Sequence, residues 1–426
     1  MKYLETYNVI GGGDMLLEFS CSNYKAIKEK IVFSMVAGSD KSHREELYEF
    51  DDYRVSRITS VYGANGAGKS TLIDAVGYLG FLVRECVKFQ EGDKIPRTPH
   101  KLSAEKPTAF DIQFVVDGIR YAYGFSMNDV EFLDEYLYHF PSGRQAKIFE
   151  REGTKFSYGI KYKKELSQLE SKTKSNKLFL TTAEAWCSLK EIIHPFRFFK
   201  EELIVHGIGP DNWFEYSAEQ IRTNSGMKQI LVVFMQKIGI PIKDIQVKIE
   251  NRQLTTQDMP LELLNKVQML TGMGSLQTIE VKFVYKDYIL NINEESQGTQ
   301  KLFKLLCPFI DVLVNGKVLF YDELEASLHP ALVDELIHTF KNWKSEKNPQ
   351  LIFSSHDTSL LDLDLFRRDQ IWFAERNPRL CTTEYYSLVE LKNVRKDDNI
   401  KKGYINGRYS TIPLKGSSLI EVLGGE

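Results

Sequence analysis

Short apolar runs alternate with amphipathic stretches along much of the 426-residue chain. Residues 58–62 and 317–321 are apolar and β-branched over the length of a buried strand, whereas apolar residues recur at helical spacing over 299–314. Further elements are predicted as strands over 351–355, 370–374 and 382–388 and as a helix over 332–343. Alternating strands and helices pack as helices around a mainly parallel sheet, so the pattern predicts an α/β fold.

The N-terminal third of the chain carries a second pattern, which predicts an antiparallel β part. Residues 109–116 and 119–125 alternate between apolar and polar positions and flank Asp117-Gly118, a dipeptide that strongly favours a hairpin turn. Further elements are predicted as strands over 15–20, 26–35, 131–140 and 146–151 and as a polar loop over 39–53. We therefore expect a β-meander beside the parallel sheet.

Helical spacing dominates the middle of the chain, over residues 178–273. The clearest helices are predicted over 218–237 and 261–270, with a strand over 242–249 between them. The region has no internal repeat and no long heptad run, so we interpret it as an inserted, largely helical lid and not as a coiled coil. The predicted division is a flexible lead-in over 1–14, a lobe over 15–177, a helical or α+β insert over 178–276, and a second lobe over 277–426.

The main candidate for chemistry is the stretch GANGAGKST, which follows one predicted strand and opens a helix. Its spacing is that of the phosphate-binding P-loop, G-x-x-x-x-G-K-S. The glycines let the backbone wrap around phosphate oxygens, and the N–H groups of the turn and of the new helix point at the anion. The predicted binding residues are Gly63, Asn65, Gly66, Gly68, Lys69, Ser70 and Thr71.

Two side chains of this stretch carry distinct roles. Lys69 adds a positive charge for the β- and γ-phosphates of ATP, and the Ser70 hydroxyl is a ligand for Mg²⁺. ATP and Mg²⁺ are therefore the predicted cofactors. The alternative is a glycine-rich turn that merely ends in Lys-Ser, and the flanking strand and helix argue against it.

A second candidate lies at the end of the strand over 317–321, where Asp322 and Glu323 follow. This is the Walker B pattern, in which a buried parallel strand delivers its carboxylates beside the P-loop. Asp322 is predicted to hold Mg²⁺ through water, and Glu323 to take a proton from the attacking water. Apolar strands that end in acids are common, so this pattern is specific only in combination with a P-loop.

A third candidate precedes the helix over 299–314. Ser296 is predicted to cap this helix, an interpretation that needs no nucleotide. Ser296 and Gly298 at a helix N-terminus also form a potential anion site. Both interpretations remain open from the residues alone.

Composition excludes several other classes of protein. The net charge of −3 does not mark the whole chain as binding nucleic acid or membranes. The five cysteines are scattered without a C-x-x-C pair, which favours a reducing compartment over a disulfide framework or a zinc site. No apolar run has the length of a membrane span, and the N-terminus lacks the apolar segment of a signal peptide. We predict a cytoplasmic protein with no membrane partner.

The order of the motifs resembles the ABC-type ATPases of the RecF, Rad50 and OLD group. The P-loop is followed by E-S-Q-G-T at 295–299, the Asp-Glu strand, S-L-H-P at 327–330 and S-H at 355–356. More closely, the chain resembles the AAA15 or AbiL-like family of bacterial phage-defence ATPases, which includes the ATPase subunits of PARIS-type systems. The segments that carry this resemblance are LLEFSCSNYKAIKE at 16–29, DQIWF at 369–373 and NGRYSTIP at 406–413.

The resemblance implies an ABC-type P-loop ATPase core with an inserted lid, working as a head-to-tail homodimer that can build a larger ring. Ser296 and Gly298 would be the signature motif, which faces the γ-phosphate held by the second subunit. His356 would be the switch histidine that hydrogen-bonds the γ-phosphate, and it would join Glu323 and Lys69 in catalysis. The sequence departs from the transporter form in reading S-Q-G-T, and no Q-loop glutamine is evident, with Glu184 as the substitute considered.

The resemblance also implies a sensor or scaffold that controls a separate toxin effector, often a TOPRIM-like nuclease, in response to a phage-derived trigger. The alternative is a RecF-like ATP-gated clamp on DNA, which the weak net charge and the missing coiled coil disfavour slightly. A transporter ATPase is weaker, because nothing hints at a membrane partner. A self-contained nuclease that uses Asp362 and Asp364 is also weaker, because a helical turn is the simpler interpretation of that stretch.

Overall fold

The structure is a computed structural model that describes residues 13–206, 213–253, 275–345, 347–392, 394–395 and 398–409. Its strands are β1 Met15–Ser22, β2 Ile31–Ser34, β3 Leu47–Phe50, β4 Tyr53–Ser56, β5 Ile58–Tyr62, β6 Thr108–Val116, β7 Ile119–Met127, β8 Phe132–His139, β9 Ala146–Glu152, β10 Lys155–Tyr158, β11 Leu203–His206, β12 Asp244–Gln253, β13 Ser275–Val284, β14 Ile289–Asn291, β15 Val318–Tyr321, β16 Gln350–Ser354, β17 Ile371–Asn377 and β18 Thr382–Ser387. Its helices are α1 Lys69–Glu85, α2 Lys163–Leu166, α3 Phe179–Trp186, α4 Lys190–Arg197, α5 Trp213–Thr223, α6 Ser225–Lys237, α7 Gln297–Asn315, α8 Pro330–Asn342 and α9 Ile400–Ile405.

The described residues form two compact units. The smaller unit comprises residues 213–253, 275–311 and 327–332, and the larger unit comprises the other described residues. Helices α3 and α4 and strand β11 fall within the predicted insert over 178–276 but belong to the larger unit. The predicted domain limits remain predictions, and the observed division lies near residue 210.

A six-stranded sheet forms the centre of the larger unit, in the order β11-β15-β16-β5-β17-β18. Every neighbouring pair is parallel except β17 with β18. Strands β5, β15 and β16 are buried along their whole length, as expected for continuous apolar runs in a parallel sheet. The predicted α/β class with a mainly parallel sheet is confirmed, and the P-loop follows a strand inside the sheet.

A second sheet of the larger unit has seven strands in the order β10-β9-β8-β7-β6-β1-β2. All its pairs are antiparallel. Strands β6 and β7 form the predicted hairpin, with positive φ angles of 49° at Asp117 and 72° at Gly118, as a type I′ turn requires. The predicted antiparallel part is therefore confirmed.

The prediction of a loop over 39–53 is wrong in part, because β3 and β4 pair there as a two-stranded sheet. Leu47 and Tyr48 are buried, and the Tyr48 hydroxyl donates a hydrogen bond to the Pro349 carbonyl at 2.9 Å. Asp51 and Asp52 form the turn between the two strands.

The smaller unit contains the antiparallel sheet β12-β13-β14 and helix α5, which packs on β12 and β13. The single helix predicted over 218–237 is two helices, because Asn224 is extended and its side chain accepts the Met227 N–H as an N-cap. The helix predicted over 261–270 lies outside the described residues. The described part of the predicted insert therefore contains strands as well as helices.

The predicted lead-in over 1–14 is described only at Gly13 and Asp14. The Asp14 carboxylate accepts the Asp117 N–H at 2.9 Å and pairs with the Arg197 guanidinium at 3.0 Å. Glu202 lies at the end of a π-helical turn that leads into β11. It is close enough to Asp14 and Arg197 to interact electrostatically with both.

Candidate functional site

The P-loop stretch forms the turn between β5 and α1, as its flanks predict. Asn65, Gly66 and Ser70 are exposed and Thr71 is half-buried. Gly68 has a φ of 111°, a conformation that favours glycine. No hydrogen bond between described residues uses the N–H group of Gly68 or Lys69. The turn therefore offers free donors at the start of a helix, which is the arrangement of an anion site.

Side chains of strand β18 form hydrogen bonds with the backbone of this turn. The sequence did not predict this contact. The Thr383 hydroxyl donates to the Ala67 carbonyl at 2.9 Å, and the Tyr385 hydroxyl donates to the Gly68 carbonyl at 2.6 Å. A Cβ atom on Gly68 would lie 2.7 Å from Thr383 Oγ1, and one on Gly63 would lie 2.3 Å from the Ala374 carbonyl oxygen. Both glycines are thus required by close approach of the last two strands of the sheet.

The side chain of Lys69 points back into the loop that precedes it. Its Nζ atom donates to the Gly63 carbonyl at 2.9 Å, and the residue is 5% exposed. Burial lowers the pKa of the Lys69 ammonium, while the carboxylates of Asp322 and Glu323 act in the opposite direction. A phosphate group placed here would favour the charged ammonium, as expected of a P-loop lysine.

Asp322 and Glu323 follow β15, the strand next to β16. The Ser354 hydroxyl at the end of β16 donates to Asp322 Oδ1 at 2.5 Å and accepts the Glu323 N–H at 2.8 Å. Glu323 has a positive φ of 50°, in the left-handed region that non-glycine residues seldom adopt. Ser354 thus holds the Asp322 carboxylate and the Glu323 backbone, and a polar residue in the run LIFSS was the only sequence signal for it.

His356 brings the two halves of the candidate site together. Its Nδ1 atom lies 3.4 Å from Lys69 Nζ, and its Nε2 atom lies 3.7 Å from Glu323 Oε1. Its backbone N–H donates to Glu325 Oε1 at 2.5 Å. The structure therefore places Lys69, Glu323 and His356 in one contiguous group; their assignment to catalysis remains a prediction.

A cavity of about 140 Å³ lies beside the first turn of α1. Ser70 and Asp322 both line it, and a hydroxyl and a carboxylate oxygen are ligands that suit Mg²⁺. The donor set therefore fits the predicted ion. Lys25 and His206 also line the cavity and were missed by the sequence analysis.

Lys25 contacts a residue of the helix that follows the P-loop, and His206 contacts the residue before Asp322. Lys25 forms an ion pair with Asp74, a residue of α1. The His206 ring, at the end of β11, stacks on Tyr321 with ring centroids 4.0 Å apart. Glu184, the substitute considered for a Q-loop glutamine, does not line this cavity. His206 is the residue that the structure puts beside Ser70 and Asp322 from the neighbouring strand.

The remaining predicted residues, Ser296 and Gly298, belong to the smaller unit. Ser296 Oγ accepts the Thr299 N–H at 3.2 Å, so it caps α7 as predicted. A Cβ atom on Gly298 would lie 3.1 Å from the Ser327 carbonyl oxygen. The Ser296 residue is exposed, which leaves this helix start open to a ligand or to another chain.

Asp362 and Asp364 lie in a turn that local hydrogen bonds stabilise. The Asp362 carboxylate accepts the Asp364 N–H at 2.9 Å, and the Asp362 carbonyl accepts the N–H groups of Leu365 and Phe366. The stretch is therefore the helical turn that the sequence favoured.

Comparisons with known proteins identify a family and a set of similar structures. The family model described as "AAA domain, putative AbiEii toxin, Type IV TA system" (AAA_21) matches residues 58–362. A search of curated proteins gave no match. None of the described helices combines the length and apolar character needed to cross a bilayer.

Three similar solved structures are SMC head domains. One, bound to the C-winged helix domain of ScpA, is 16% identical with a TM-score of 0.42, covering 87% of this chain and 97% of that chain. The head from Thermotoga maritima is 11% identical with a TM-score of 0.37, covering 87% and 98%. The head with an extended coiled coil, bound to the C-terminal domain of ScpA derived from Pyrococcus furiosus, is 12% identical with a TM-score of 0.38, covering 88% and 96%.

Proposed function

Because the chain belongs to the AAA_21 family of AAA domains, we propose that it binds ATP with Mg²⁺ and hydrolyses it to ADP and phosphate. The observation that carries the proposal is the contiguous group of Lys69, His356 and Glu323 behind the open N–H donors of the P-loop. A phosphate chain, a water molecule and a base must meet for hydrolysis. Lys69 and His356 can contact the phosphates, and Glu323 can act as the base for the water.

Each residue has a role that follows from its position. The P-loop N–H groups and Lys69 bind the phosphates, while Ser70 and Asp322 hold the metal ion. A bound Mg²⁺ would neutralise charge on the phosphate oxygens. Glu323 accepts the proton of the attacking water, and His356 hydrogen-bonds the γ-phosphate from its place between Lys69 and Glu323.

Phosphate release by the purified protein tests this activity. We expect Lys69→Ala to lose nucleotide binding and Glu323→Gln to bind ATP but hydrolyse it at least about 100-fold more slowly, because its amide is no general base. Glu384→Gln, which alters an exposed carboxylate on β18, is the matched control and should keep normal turnover. Normal turnover by Glu323→Gln would show that the assigned base is wrong.

We further propose that two subunits pair head to tail, so that Ser296 and Gly298 of one subunit complete the ATP site of the other. The support is the exposed, Ser296-capped start of α7, whose N–H groups can bind a γ-phosphate. ATP would then hold the pair together, and its hydrolysis would loosen it. Ser296→Arg should abolish turnover and ATP-dependent dimerisation, and retention of both would exclude the shared site.

The biological role proposed for this ATPase is control of a separate toxin effector, such as a TOPRIM-like nuclease, in defence against phage. The support is the sequence resemblance to phage-defence ATPases and the family description, which names a type IV toxin–antitoxin system. The test is to express Glu323→Gln protein with its neighbouring genes and to measure the mass and composition of the complex purified with ATP. A stoichiometric product of those genes supports the role, whereas a dimer that carries only DNA favours the RecF-like alternative.

A further inference from the structure

Strand β18 contacts the backbone of the P-loop through side chains of alternate residues. Thr383 and Tyr385 point to the same face of the strand, and their hydroxyl groups donate to the successive carbonyls of Ala67 and Gly68. Thr383 is 2% exposed. Burial raises the pKa of the Tyr385 hydroxyl well above its ordinary value, so it remains a proton donor at every physiological pH.

The two carbonyls fix the direction of two N–H groups. In a trans peptide the C=O and the N–H of the same unit point in opposite directions. The unit that carries the Ala67 carbonyl also carries the Gly68 N–H, and the unit that carries the Gly68 carbonyl also carries the Lys69 N–H. Since both carbonyls are held towards β18, both N–H groups point away from it, and no hydrogen bond between described residues uses them.

The contact is tight enough to hold this orientation. A Cβ atom at Gly68 would lie 2.7 Å from Thr383 Oγ1 and 3.0 Å from the Tyr385 hydroxyl oxygen. The same strand is tied to the segment around Lys25, because the Thr383 N–H donates to the Ala26 carbonyl at 2.9 Å. The strand is therefore anchored to this segment as well as to the loop that it supports.

We propose that Thr383 and Tyr385 are positioning residues that aim the N–H groups of Gly68 and Lys69 at the phosphates of the bound nucleotide. The inference rests on the proposed ATPase function and adds to it the residues that orient the N–H donors of the phosphate site. Without the Thr383 hydroxyl the peptide unit between Ala67 and Gly68 can rotate. Without the Tyr385 hydroxyl the unit between Gly68 and Lys69 keeps only the helical hydrogen bonds that the Gly68 carbonyl accepts from Thr71 and Leu72 at 2.9 and 3.3 Å, so the donors are less well ordered before binding. The effect falls on affinity for phosphates and not on the chemical step.

The test compares Thr383→Val and Tyr385→Phe with matched controls. Thr383→Ser restores the hydroxyl. Tyr386→Phe removes a phenol hydroxyl from the neighbouring residue of the same strand, where it donates to the Tyr409 carbonyl at 2.6 Å and not to the P-loop. Calorimetry gives the Kd for ADP and for inorganic pyrophosphate, steady-state assays give kcat and KM for ATP, and thermal unfolding gives Tm for each protein.

We expect Thr383→Val and Tyr385→Phe each to weaken ADP and pyrophosphate binding about fivefold to tenfold, the effect of losing one buried hydrogen bond. KM for ATP should rise with kcat within about twofold of wild type. Thr383→Ser and Tyr386→Phe should bind like wild type. Equal affinity of Tyr385→Phe and wild type, or an equal loss in Tyr386→Phe, would overturn the inference. A wild-type protein that binds no nucleotide would instead refute the proposed function itself.

Discussion

The Nζ atom of Lys69 lies 3.4 Å from Nδ1 of His356. The other ring nitrogen of His356, Nε2, faces Glu323 Oε1 at 3.7 Å. The imidazole thereby links the phosphate-binding lysine to the proposed base. In the proposed function it would form a hydrogen bond to the γ-phosphate from this position.

The first prediction concerns this histidine. His356→Ala should lower kcat for ATP about 100-fold, because the γ-phosphate loses a hydrogen-bond donor in the transition state. ADP affinity should change less than about threefold, since the P-loop donors remain. His338→Ala, which removes an exposed histidine on α8, is the control. An unchanged kcat in His356→Ala would leave the histidine with a structural role only.

The second prediction concerns Ser354, which contacts both acidic residues. Ser354→Ala should reduce Mg²⁺-dependent hydrolysis at least about tenfold, because Asp322 and Glu323 lose their common support. The free energy of unfolding should fall by about 1–3 kcal/mol, the cost of an unmade buried hydrogen bond. Ser355→Ala is the matched control, because that buried hydroxyl contacts the Asp357 N–H. An equal loss of activity in both variants would refute the specific role of Ser354.

The third prediction concerns the contact between Gly68 and β18. Gly68→Ala should lower the free energy of unfolding by about 3 kcal/mol, through backbone strain and the clash with Thr383 together, and should abolish nucleotide binding. Gly92→Ala provides the control, because Gly92 also has a positive φ, of 89°, but has open space at its Cβ position. That variant should lose only about 1 kcal/mol. Urea unfolding measures the free energy of unfolding of both variants. An equal decrease in the two would show that β18 moves to accommodate the added methyl group.

The fourth prediction concerns Glu202 and pH. Burial, followed by the nearby Asp14 carboxylate, raises the pKa of Glu202 to about 7. A carboxyl with a raised folded-state pKa keeps its proton longer in the folded state than in the unfolded chain. Its contribution to stability is therefore complete below the unfolded-state value of about 4.5 and is lost as the pH rises through 7.

Glu202→Gln should remove this dependence. We expect the variant to be about 1–2 kcal/mol more stable than wild type at pH 8, a range that allows for partial exposure, and nearly equal to it at pH 4.5. Chemical unfolding across this pH range measures the difference. The adjacent Glu201→Gln, at an exposed position, serves as the control, and a stability difference that does not grow with pH would contradict the assignment.

The sequence predicted the elements whose information is local. The run 58–62, the P-loop spacing and the Asp117-Gly118 turn each specify their structure through neighbours in the chain. Lys69 and Glu323 could be paired from the sequence because parallel strands deliver their ends to one edge of a sheet, and the family resemblance added His356. These residues could be named as a group before their distances were known.

The contacts that the sequence did not predict join residues far apart in the chain. Thr383 and Tyr385 meet the P-loop across more than 300 positions, and nothing in the run TTEYYS marks two of its hydroxyl groups as partners of backbone carbonyls. His206 ends a strand of only four residues, which is too short to stand out within a stretch of helical spacing. Each of these positions depends on the order of the strands in the sheet, which is determined by packing and not by the local sequence pattern.

The place of β5 between β16 and β17 has a consequence for synthesis of the protein. In this strand Ile58 pairs with Leu351 of β16, and Ser60 pairs with Ile371 of β17. The strand before the P-loop therefore cannot form these pairs until segments about 300 residues later have been synthesised. At ordinary translation rates of about 5–20 residues per second this is about 15–60 s. During that interval the nascent chain has no completed nucleotide site. The proposed activity can therefore form only after translation has passed the last strands of the sheet.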